Sequence, residues 1–204
     1  MGIYEDWLLP RLLDLAMRNR EVARYRATVI PNARGRVLEV GIGSGLNLPF
    51  YSGAVERLYA LDPSEALLRM ARKRAPRTAF PVEFLNHSAH RIPLEDGSVD
   101  TVVMTWTLCT IPDPAEALGE MRRVLKPGGQ LIFAEHGFAP DPRVQAWQHR
   151  LNPLWKRIAG GCNLDRRIDR MIRDGGFVIR DLEQSYAKGP KPFSYVYSGY
   201  ARPV

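Results

Sequence analysis

The sequence has few of the features that mark secreted and membrane proteins. Its two cysteines, Cys109 and Cys162, form no C-x-x-C pair, so the sequence predicts neither a disulfide framework nor a zinc site. No run approaches the ~20 apolar residues of a membrane-spanning helix, and the acidic start Met1 to Asp6 does not resemble a signal peptide. Repeats are also absent. These absences predict a soluble cytoplasmic protein.

Composition favours one globular domain over residues 1–204. The 45% apolar content of the 204 residues is enough to bury a full core. The net charge of +7 comes mostly from arginines, which cluster in residues 18–26, 69–77 and 166–173. We expect solvated helix faces there, because Tyr25 is the only aromatic residue among these arginines, which weakens the nucleic-acid alternative. The sequence carries no signal for an oligomeric state.

A glycine-rich stretch after a short apolar run gives the strongest functional signal. Gly41, Gly43 and Gly45 lack a Cβ, so the loop can adopt positive φ and a ligand can lie against its backbone. A helix is expected near Leu46, with its free N–H groups directed at that ligand. Asp62 lies 62 − 41 = 21 positions after Gly41, close to the ~20 at which an acidic side chain meets ribose hydroxyls.

The spacing of these glycines argues against a dinucleotide site. The dinucleotide motif G-x-G-x-x-G requires a third glycine at position 46, where this chain has Leu46. A nicotinamide dehydrogenase is therefore a distant alternative.

Strand and helix patterns alternate along the chain after a helical segment of about thirty residues. Such alternation predicts an α/β fold with a doubly wound, mostly parallel sheet. The last two strands are joined by a short turn-rich segment, which makes the final strand antiparallel. Strands are expected at residues 36–40, 57–61, 82–85, 99–105, 130–135, 177–182 and 195–201.

Two helices of the second half have clear boundary signals. Asp113, Pro114 and Glu116 form a capped helix start, and residues 126–129, Lys-Pro-Gly-Gly, follow the helix end. A second helix, near residues 165–173, should end at Gly175-Gly176.

These motifs together resemble the class I S-adenosylmethionine-dependent methyltransferases. The resemblance rests on Glu39 to Gly45, on Leu61-Asp62-Pro63, on residues 88–90 and on the Lys-Pro-Gly-Gly turn. It implies a seven-stranded Rossmann-like sheet that binds S-adenosylmethionine and releases S-adenosylhomocysteine. The implied cofactor-binding residues are Glu39, Gly41, Gly43, Gly45, Asn47, Asp62, Pro63, Ser88, Ala89, His90, Thr105 and Trp106.

A narrower series of motifs resembles the animal membrane-associated alkyl-thiol methyltransferases and their small bacterial relatives, some labelled phospholipid N-methyltransferase-like. The series includes residues 108–111, Glu135-His136, residues 152–155 and residues 161–164. Those animal proteins carry a long hydrophobic N-terminal anchor, whereas this chain has a short amphipathic helix. Residues 1–30 are therefore expected to form a helical lid, with weak peripheral membrane contact as the alternative.

The acceptor side carries weaker signals. His136 ends a strand on the expected rim and could take a proton from a thiol or amine, or only hydrogen-bond Glu135. Residues 137–164 are expected to form a small helical cap. Substrate contacts are assigned to Thr107, Trp147 and Cys162, and no metal site is expected, since His87 and His90 lack a third ligand.

The remaining alternatives concern the acceptor. Neither cysteine follows a proline and residues 106–109 are Trp-Thr-Leu-Cys, which excludes two common nucleic-acid methyltransferase chemistries. A small-molecule acceptor is favoured, most simply a thiol or sulfide. A phospholipid or quinone-type acceptor remains open, as does a non-catalytic protein that only binds S-adenosylmethionine.

Overall fold

The computed structural model describes residues 7–204, so the acidic start at residues 1–6 lies outside the described residues. Seven strands form one sheet, and six α-helices pack around it. The strands are β1 (Gly35–Val40), β2 (Val55–Leu61), β3 (Val82–Leu85), β4 (Val99–Thr105), β5 (Leu125–His136), β6 (Phe177–Tyr186) and β7 (Tyr195–Pro203). The helices are α1 (Leu9–Ala16), α2 (Arg20–Val29), α3 (Glu65–Arg72), α4 (Pro114–Val124), α5 (Pro142–Ile158) and α6 (Ile168–Asp174).

The sheet has the strand order β3-β2-β1-β4-β5-β7-β6. The first five strands of this order are parallel, and β7 pairs antiparallel with both β5 and β6. The order reverses between β1 and β4, and ligands of such sheets bind beyond the carboxyl ends of the strands at this point. The predicted mostly parallel seven-stranded sheet is confirmed.

Alternating side chains of the central strands fill two separate cores, one on each face of the sheet. Leu38, Met104 and Phe133 belong to the core on one face, and Val37 and Val103 belong to the core on the other. This alternation follows from the two-residue period of a strand, and it explains why the central strands read as continuous apolar runs.

Helix boundaries follow the local capping signals. The Asp113 side chain accepts a hydrogen bond from the Glu116 N–H, and Pro114 occupies the first turn of α4. Gly176, just after α6, has φ +84°, as a C-capping glycine should. The helical segment at the N-terminus divides into α1 and α2 because Asn19 caps the second helix through the Val22 N–H.

One local prediction is wrong. No α-helix begins near Leu46: the chain makes turns and a single 3-10 turn at Leu48–Phe50 before β2. The N–H groups of a helix therefore do not face the glycine loop. Among residues 7–204, no helix has the length and apolar character needed to cross a membrane.

Candidate active site

The glycine loop after β1 has all three glycines in the left-handed region. Their φ angles are +75° at Gly41, +55° at Gly43 and +81° at Gly45. A Cβ on Gly41 would lie 2.3 Å from Thr107 Oγ1, and one on Gly45 would lie about 3.1 Å from the Ala71 backbone. A Cβ on Gly43 would meet nothing within 4 Å. Two glycines are thus required by packing, and Gly43 leaves open space beside its backbone.

Asp62 lies at the carboxyl end of β2, beside this loop. Its Oδ2 accepts the Gly43 N–H at 2.9 Å, and its Oδ1 accepts the Ser64 N–H at 2.8 Å. Asn86 Nδ2 donates to the carbonyl oxygens of Asp62 and Pro63, both at 3.1 Å. The carboxyl group is buried, and burial raises its pKa above the ordinary value. Asp62 is therefore held rigidly, with lone pairs left for a ligand.

Glu39, Asn47 and Thr105 form one buried polar network. Asn47 Nδ2 donates to Glu39 Oε1 at 2.7 Å and to Thr105 Oγ1 at 2.9 Å. Tyr51 Oη donates to Glu39 Oε2 at 2.7 Å, and Arg26 Nε donates to Asn47 Oδ1 at 2.8 Å. Burial raises the pKa of Glu39 to about 8. These predicted residues are therefore brought together beneath the loop.

The N-terminal helices cover the glycine loop through charged contacts. Asp14 of α1 accepts Ser44 Oγ at 2.6 Å and pairs with Arg18 at 2.5 Å and Arg74 at 3.0 Å. Burial disfavours the Asp14 carboxylate, but the hydrogen bonds from Ser44 and Arg18 hold its pKa below the ordinary value. Sequence patterns did not single out Asp14.

Arg26 was expected on a solvated helix face, and this expectation is wrong. The residue is buried at 5% exposure, lies 5.5 Å from the centre of the Trp106 ring and donates to the Met17 carbonyl oxygen. Burial lowers the pKa of its guanidinium to about 10.

The loop after β3 is joined to the start of α4. Ser88 Oγ lies 2.7 Å from His90 Nδ1, and His90 Nε2 lies 3.1 Å from the Asp113 carbonyl oxygen. Ala89 between them is buried. The segment of residues 88–90, which the family resemblance implies to be cofactor-binding, is therefore fixed at the same edge of the sheet as Asp62.

Residues 105–110 form the end of β4 and the loop that follows it. They contact the glycine loop through Thr107 and Cys162 through Cys109. Trp106 has φ +50°, the only positive φ at a non-glycine residue within the described chain, and such strain is common at functional sites. The buried carboxyl group of Glu135 accepts the N–H groups of Thr107 at 2.7 Å, Leu108 at 3.0 Å and Cys109 at 3.4 Å. Thr107 packs on Gly41, and Cys109 contacts Cys162.

Cys109, His136 and Cys162 meet at the carboxyl edge of β5 and are called the Cys–His cluster below. His136 Nε2 lies 2.7 Å from Cys162 Sγ, and the two sulfurs are 3.3 Å apart. The potential ligand atoms of all three residues lie within 4.8 Å of one another. Both thiols are free; Cys109 is buried and Cys162 is partly exposed. The sequence offered no metal-ligand spacing, yet these three residues form a possible ligand set.

The two thiols differ in acidity. Contact with Cys162 and burial raise the pKa of Cys109 well above its ordinary value, whereas the same contact lowers the pKa of Cys162. Burial disfavours the charged imidazole of His136, but the facing Cys109 sulfur and Glu135 raise its pKa overall. Cys162 is therefore the more acidic of the two thiols.

Both cysteine-bearing loops are held by buried hydrogen bonds. Asn163 donates its backbone N–H and its Nδ2 to the Cys109 carbonyl oxygen, each at 2.9 Å. Arg166 donates to the carbonyl oxygens of Leu108 and, at 2.7 Å, Ile111. Arg166 had been expected to be solvated, and that expectation is wrong because it supports this loop instead.

Helix α5 occupies most of the segment for which a cap is predicted, and its two tryptophans have different environments. Trp147 is 53% exposed and lies against Arg150. The Trp155 Nε1 is buried without a nitrogen or oxygen partner, and this indole helps to lower the pKa of Cys162. A substrate contact stays a prediction for Trp147, whereas Trp155 belongs to the motif at residues 152–155 and no role beside Cys162 was predicted for it.

Comparison with known proteins gives consistent matches. A family model described as a methyltransferase domain matches residues 38–133. The thiol S-methyltransferase TMT1B of Rattus norvegicus is 33% identical over 164 residues, which cover 78% of this chain and 65% of that protein. The chain thus spans just under two thirds of the length of this relative.

A bacterial relative and a solved structure add to these matches. The phosphatidylethanolamine N-methyltransferase of Cereibacter sphaeroides is 38% identical over 157 residues, which cover 76% of each chain. A chain in the solved complex between the Haloferax volcanii Trm112 methyltransferase activator and a putative methyltransferase superposes with a TM-score of 0.75. That match covers 97% of this chain and 96% of the other at 19% identity, and so it supports the fold alone.

Proposed function

Because this chain belongs to the class I S-adenosylmethionine-dependent methyltransferases, we propose that it methylates a small thiol or sulfide. The observation that carries the proposal is the loop of residues 105–110. Its Thr107 packs on Gly41 of the glycine loop, and its Cys109 lies 3.3 Å from Cys162. One short segment thus adjoins both the donor side and a rim lined with sulfur and imidazole groups.

The residues present fit S-adenosylmethionine. Gly43 leaves open space beside its backbone, and Asp62 offers a fixed, buried carboxyl group at the end of β2. Asp62 would accept hydrogen bonds from the ribose hydroxyls, and the loop backbone would hold the methionine part. Supporting positions are Glu39, Gly41, Gly45, Asn47, Pro63, Ser88, Ala89, His90, Thr105 and Trp106.

The chemistry is an in-line displacement in which the cofactor supplies a methyl group activated on a sulfonium. The chain must hold the acceptor sulfur in line and exclude water, and such positioning can remove about 7–11 kcal/mol of barrier. A free thiol with a pKa near ~8.5 is only a few per cent thiolate at neutral pH. At this rim His136 is the group that can favour the thiolate, by accepting its proton.

A second acceptor class has its own support. The Cereibacter sphaeroides relative is named for methylating phosphatidylethanolamine. In this chain Trp7, Leu8, Leu12 and Leu15 are exposed on and before α1, with Leu15 at 70% exposure. An apolar helix face of this kind can lie on a lipid surface. Sedimentation with phospholipid vesicles separates the two classes, since a lipid acceptor requires binding through this face.

The decisive test is release of S-adenosylhomocysteine from S-adenosylmethionine with hydrogen sulfide or a simple alkyl thiol. Thiol-dependent turnover that Asp62→Ala abolishes is the expected result. Absence of turnover, with S-adenosylmethionine binding demonstrated by thermal shift, would reject the thiol acceptor. Lipid-dependent turnover would then favour the phospholipid acceptor, and none with any acceptor would favour a non-catalytic binding protein.

A further inference from the structure

The Cys–His cluster has the donor atoms and the spacing of an incomplete tetrahedral metal site. A zinc ion with bonds of about 2.3 Å to sulfur and 2.0–2.1 Å to nitrogen separates its donors by roughly 3.5–3.8 Å. The sulfurs lie 3.3 Å apart, and His136 Nε2 lies 2.7 Å from Cys162 Sγ. Side-chain movements of less than about 1 Å would therefore open the cluster to zinc–ligand distances.

We propose that Cys109, His136 and Cys162 bind a thiophilic divalent cation of the zinc type. Two thiolates and one imidazole are a ligand set that selects such ions over magnesium or calcium. Three protein ligands leave a fourth position open, which is the arrangement of catalytic rather than structural zinc sites. The partly exposed Cys162 marks the side from which an acceptor reaches that position.

The surroundings of the cluster are organised to hold ligands. Glu135 accepts the N–H of Cys109 and of the two residues before it, and Asn163 donates twice to the Cys109 carbonyl oxygen. The loops that carry the two cysteines are therefore fixed to each other by contacts independent of the sulfurs. The buried Trp155 N–H lacks a nitrogen or oxygen acceptor, and a metal-bound thiolate beside it would provide one.

The site gives the acceptor a route to its nucleophilic form, and this part of the inference rests on the proposed function. A thiol that binds the open position loses its proton to solvent and becomes a metal-bound thiolate, because a coordinating thiol is deprotonated. Its sulfur then forms a bond to the methyl carbon as the carbon–sulfonium bond breaks. The products are the methyl thioether and S-adenosylhomocysteine, and the neutral thioether leaves the metal. His136 acts here as a ligand.

Cobalt substitution tests binding without reference to turnover. Purified, reduced protein is stripped with a chelator and titrated with Co²⁺, and its metal content after growth with zinc is measured by mass spectrometry. We expect one equivalent of zinc, and with cobalt the thiolate charge-transfer band and the d–d bands of a tetrahedral ion. Saturation without a thiolate band, or no uptake at all, would overturn the proposal.

Single substitutions in the Cys–His cluster test which residues bind the metal ion. Cys162→Ser, Cys109→Ser and His136→Asn should each lose the cobalt bands, whereas His87→Asn, an exposed histidine outside the cluster, should keep them. Thermal shift with S-adenosylhomocysteine shows whether each variant is folded. Cys162→Ser should disturb folding least, because Cys162 is partly exposed. Trp155→Phe should weaken cobalt binding by roughly 10-fold as an outer-shell change. Cobalt bands that persist in all three ligand variants contradict the assignment.

The inference and the proposed function can fail separately. Thiol-dependent turnover of fully metal-free protein would overturn the catalytic role of the metal while the thiol acceptor stands. Stoichiometric cobalt with a thiolate band, but no methylation of any thiol, would support the site and reject the acceptor. A Cys109–Cys162 disulfide in protein that takes up no metal after reduction would identify a redox pair instead.

Discussion

The donor side and the acceptor rim of this molecule are built in opposite ways. The proposed donor side is centred on the stretch of residues 39–62, with further positions at 88–90 and 105–106, and much of the contribution of the glycine loop is backbone in unusual conformations. The acceptor rim takes one side chain from each of three separate segments, at positions 109, 136 and 162. A backbone site presents a ligand surface that few substitutions can alter. A site built from side chains can change its chemistry through single substitutions. This suits the part of the protein that is proposed to recognise the acceptor.

The largest expected effect is loss of the donor side through Asp62→Ala. The carboxyl group accepts two backbone N–H groups and would accept the ribose hydroxyls, and hydrogen bonds to charged groups contribute about 1.5–3 kcal/mol each. S-adenosylhomocysteine affinity, measured calorimetrically, should fall by at least about 100-fold. Cobalt binding at the Cys–His cluster should not change. The control is Asp174→Ala, an exposed carboxylate paired with Arg170, and equal losses in both variants would contradict the role of Asp62.

Two alanine substitutions in the glycine loop distinguish a glycine that packing requires from a glycine that leaves room for a ligand. Gly41→Ala places a Cβ 2.3 Å from Thr107 Oγ1 at φ +75°, so we expect a loss of about 2–4 kcal/mol of unfolding free energy. Gly43→Ala meets nothing within 4 Å and should cost only about 1 kcal/mol, the strain of its positive φ. Gly43→Ala should nevertheless weaken cofactor binding, because its methyl group enters the open space. Urea unfolding and calorimetry measure the two effects, and equal stability losses would reject the packing argument.

On the acceptor side, Gln148→Leu should reduce stability without affecting donor binding. Gln148 is fully buried, accepts the Ala139 N–H at 3.0 Å, and donates to the Gly137 and Pro192 carbonyl oxygens. Leaving such groups unpaired costs about 1–3 kcal/mol. The matched variant Gln145→Leu removes one partly buried hydrogen bond to Ala139 and should cost less, near 1 kcal/mol. A Gln148→Leu protein as stable as the parent in urea would contradict the prediction.

The final prediction is a pH dependence of stability that originates at Glu39. Burial raises its pKa from an ordinary value of 4.5 to about 8, so the folded state binds a proton more tightly than the unfolded state. This contribution to stability is complete below pH 4.5 and is lost as the pH rises towards 8. Glu39→Gln lacks the titration, so its Tm should fall less than that of the parent between pH 5 and pH 8. Parallel Tm curves for the two proteins would exclude this contribution.

The donor side could be predicted from sequence because its signals are local. The glycine spacing and Asp62 lie within one strand–loop–strand unit, and the helix start at Asp113 is a three-residue pattern. The prediction of a helix near Leu46 was wrong for the opposite reason, because the glycine loop packs against Thr107 and Ala71, which are distant in sequence.

The acceptor rim could not be predicted in this way. Cys109 and Cys162 are separated by 53 positions, and only the docking of two loops on β5 brings them into contact. The buried guanidinium group of Arg26 and the partly buried one of Arg166 could also not be predicted from sequence patterns. Each lies in a basic cluster whose other members face solvent, and only tertiary structure distinguishes them. His136 was recognised because a strand end is itself a local signal.

The position of β7 has a consequence for the order in which the chain acquires its parts during synthesis. Strands β1 to β5 pair with neighbours that precede residue 137, but the other edge of β5 is completed only by β7, where His136 faces Val196. Contacts that close long loops form late. A nascent chain that ends before Tyr195 can therefore build the donor half, while the rim that carries His136 must await the emergence of β7. Maturation of the two halves is in this sense sequential, with the donor half first.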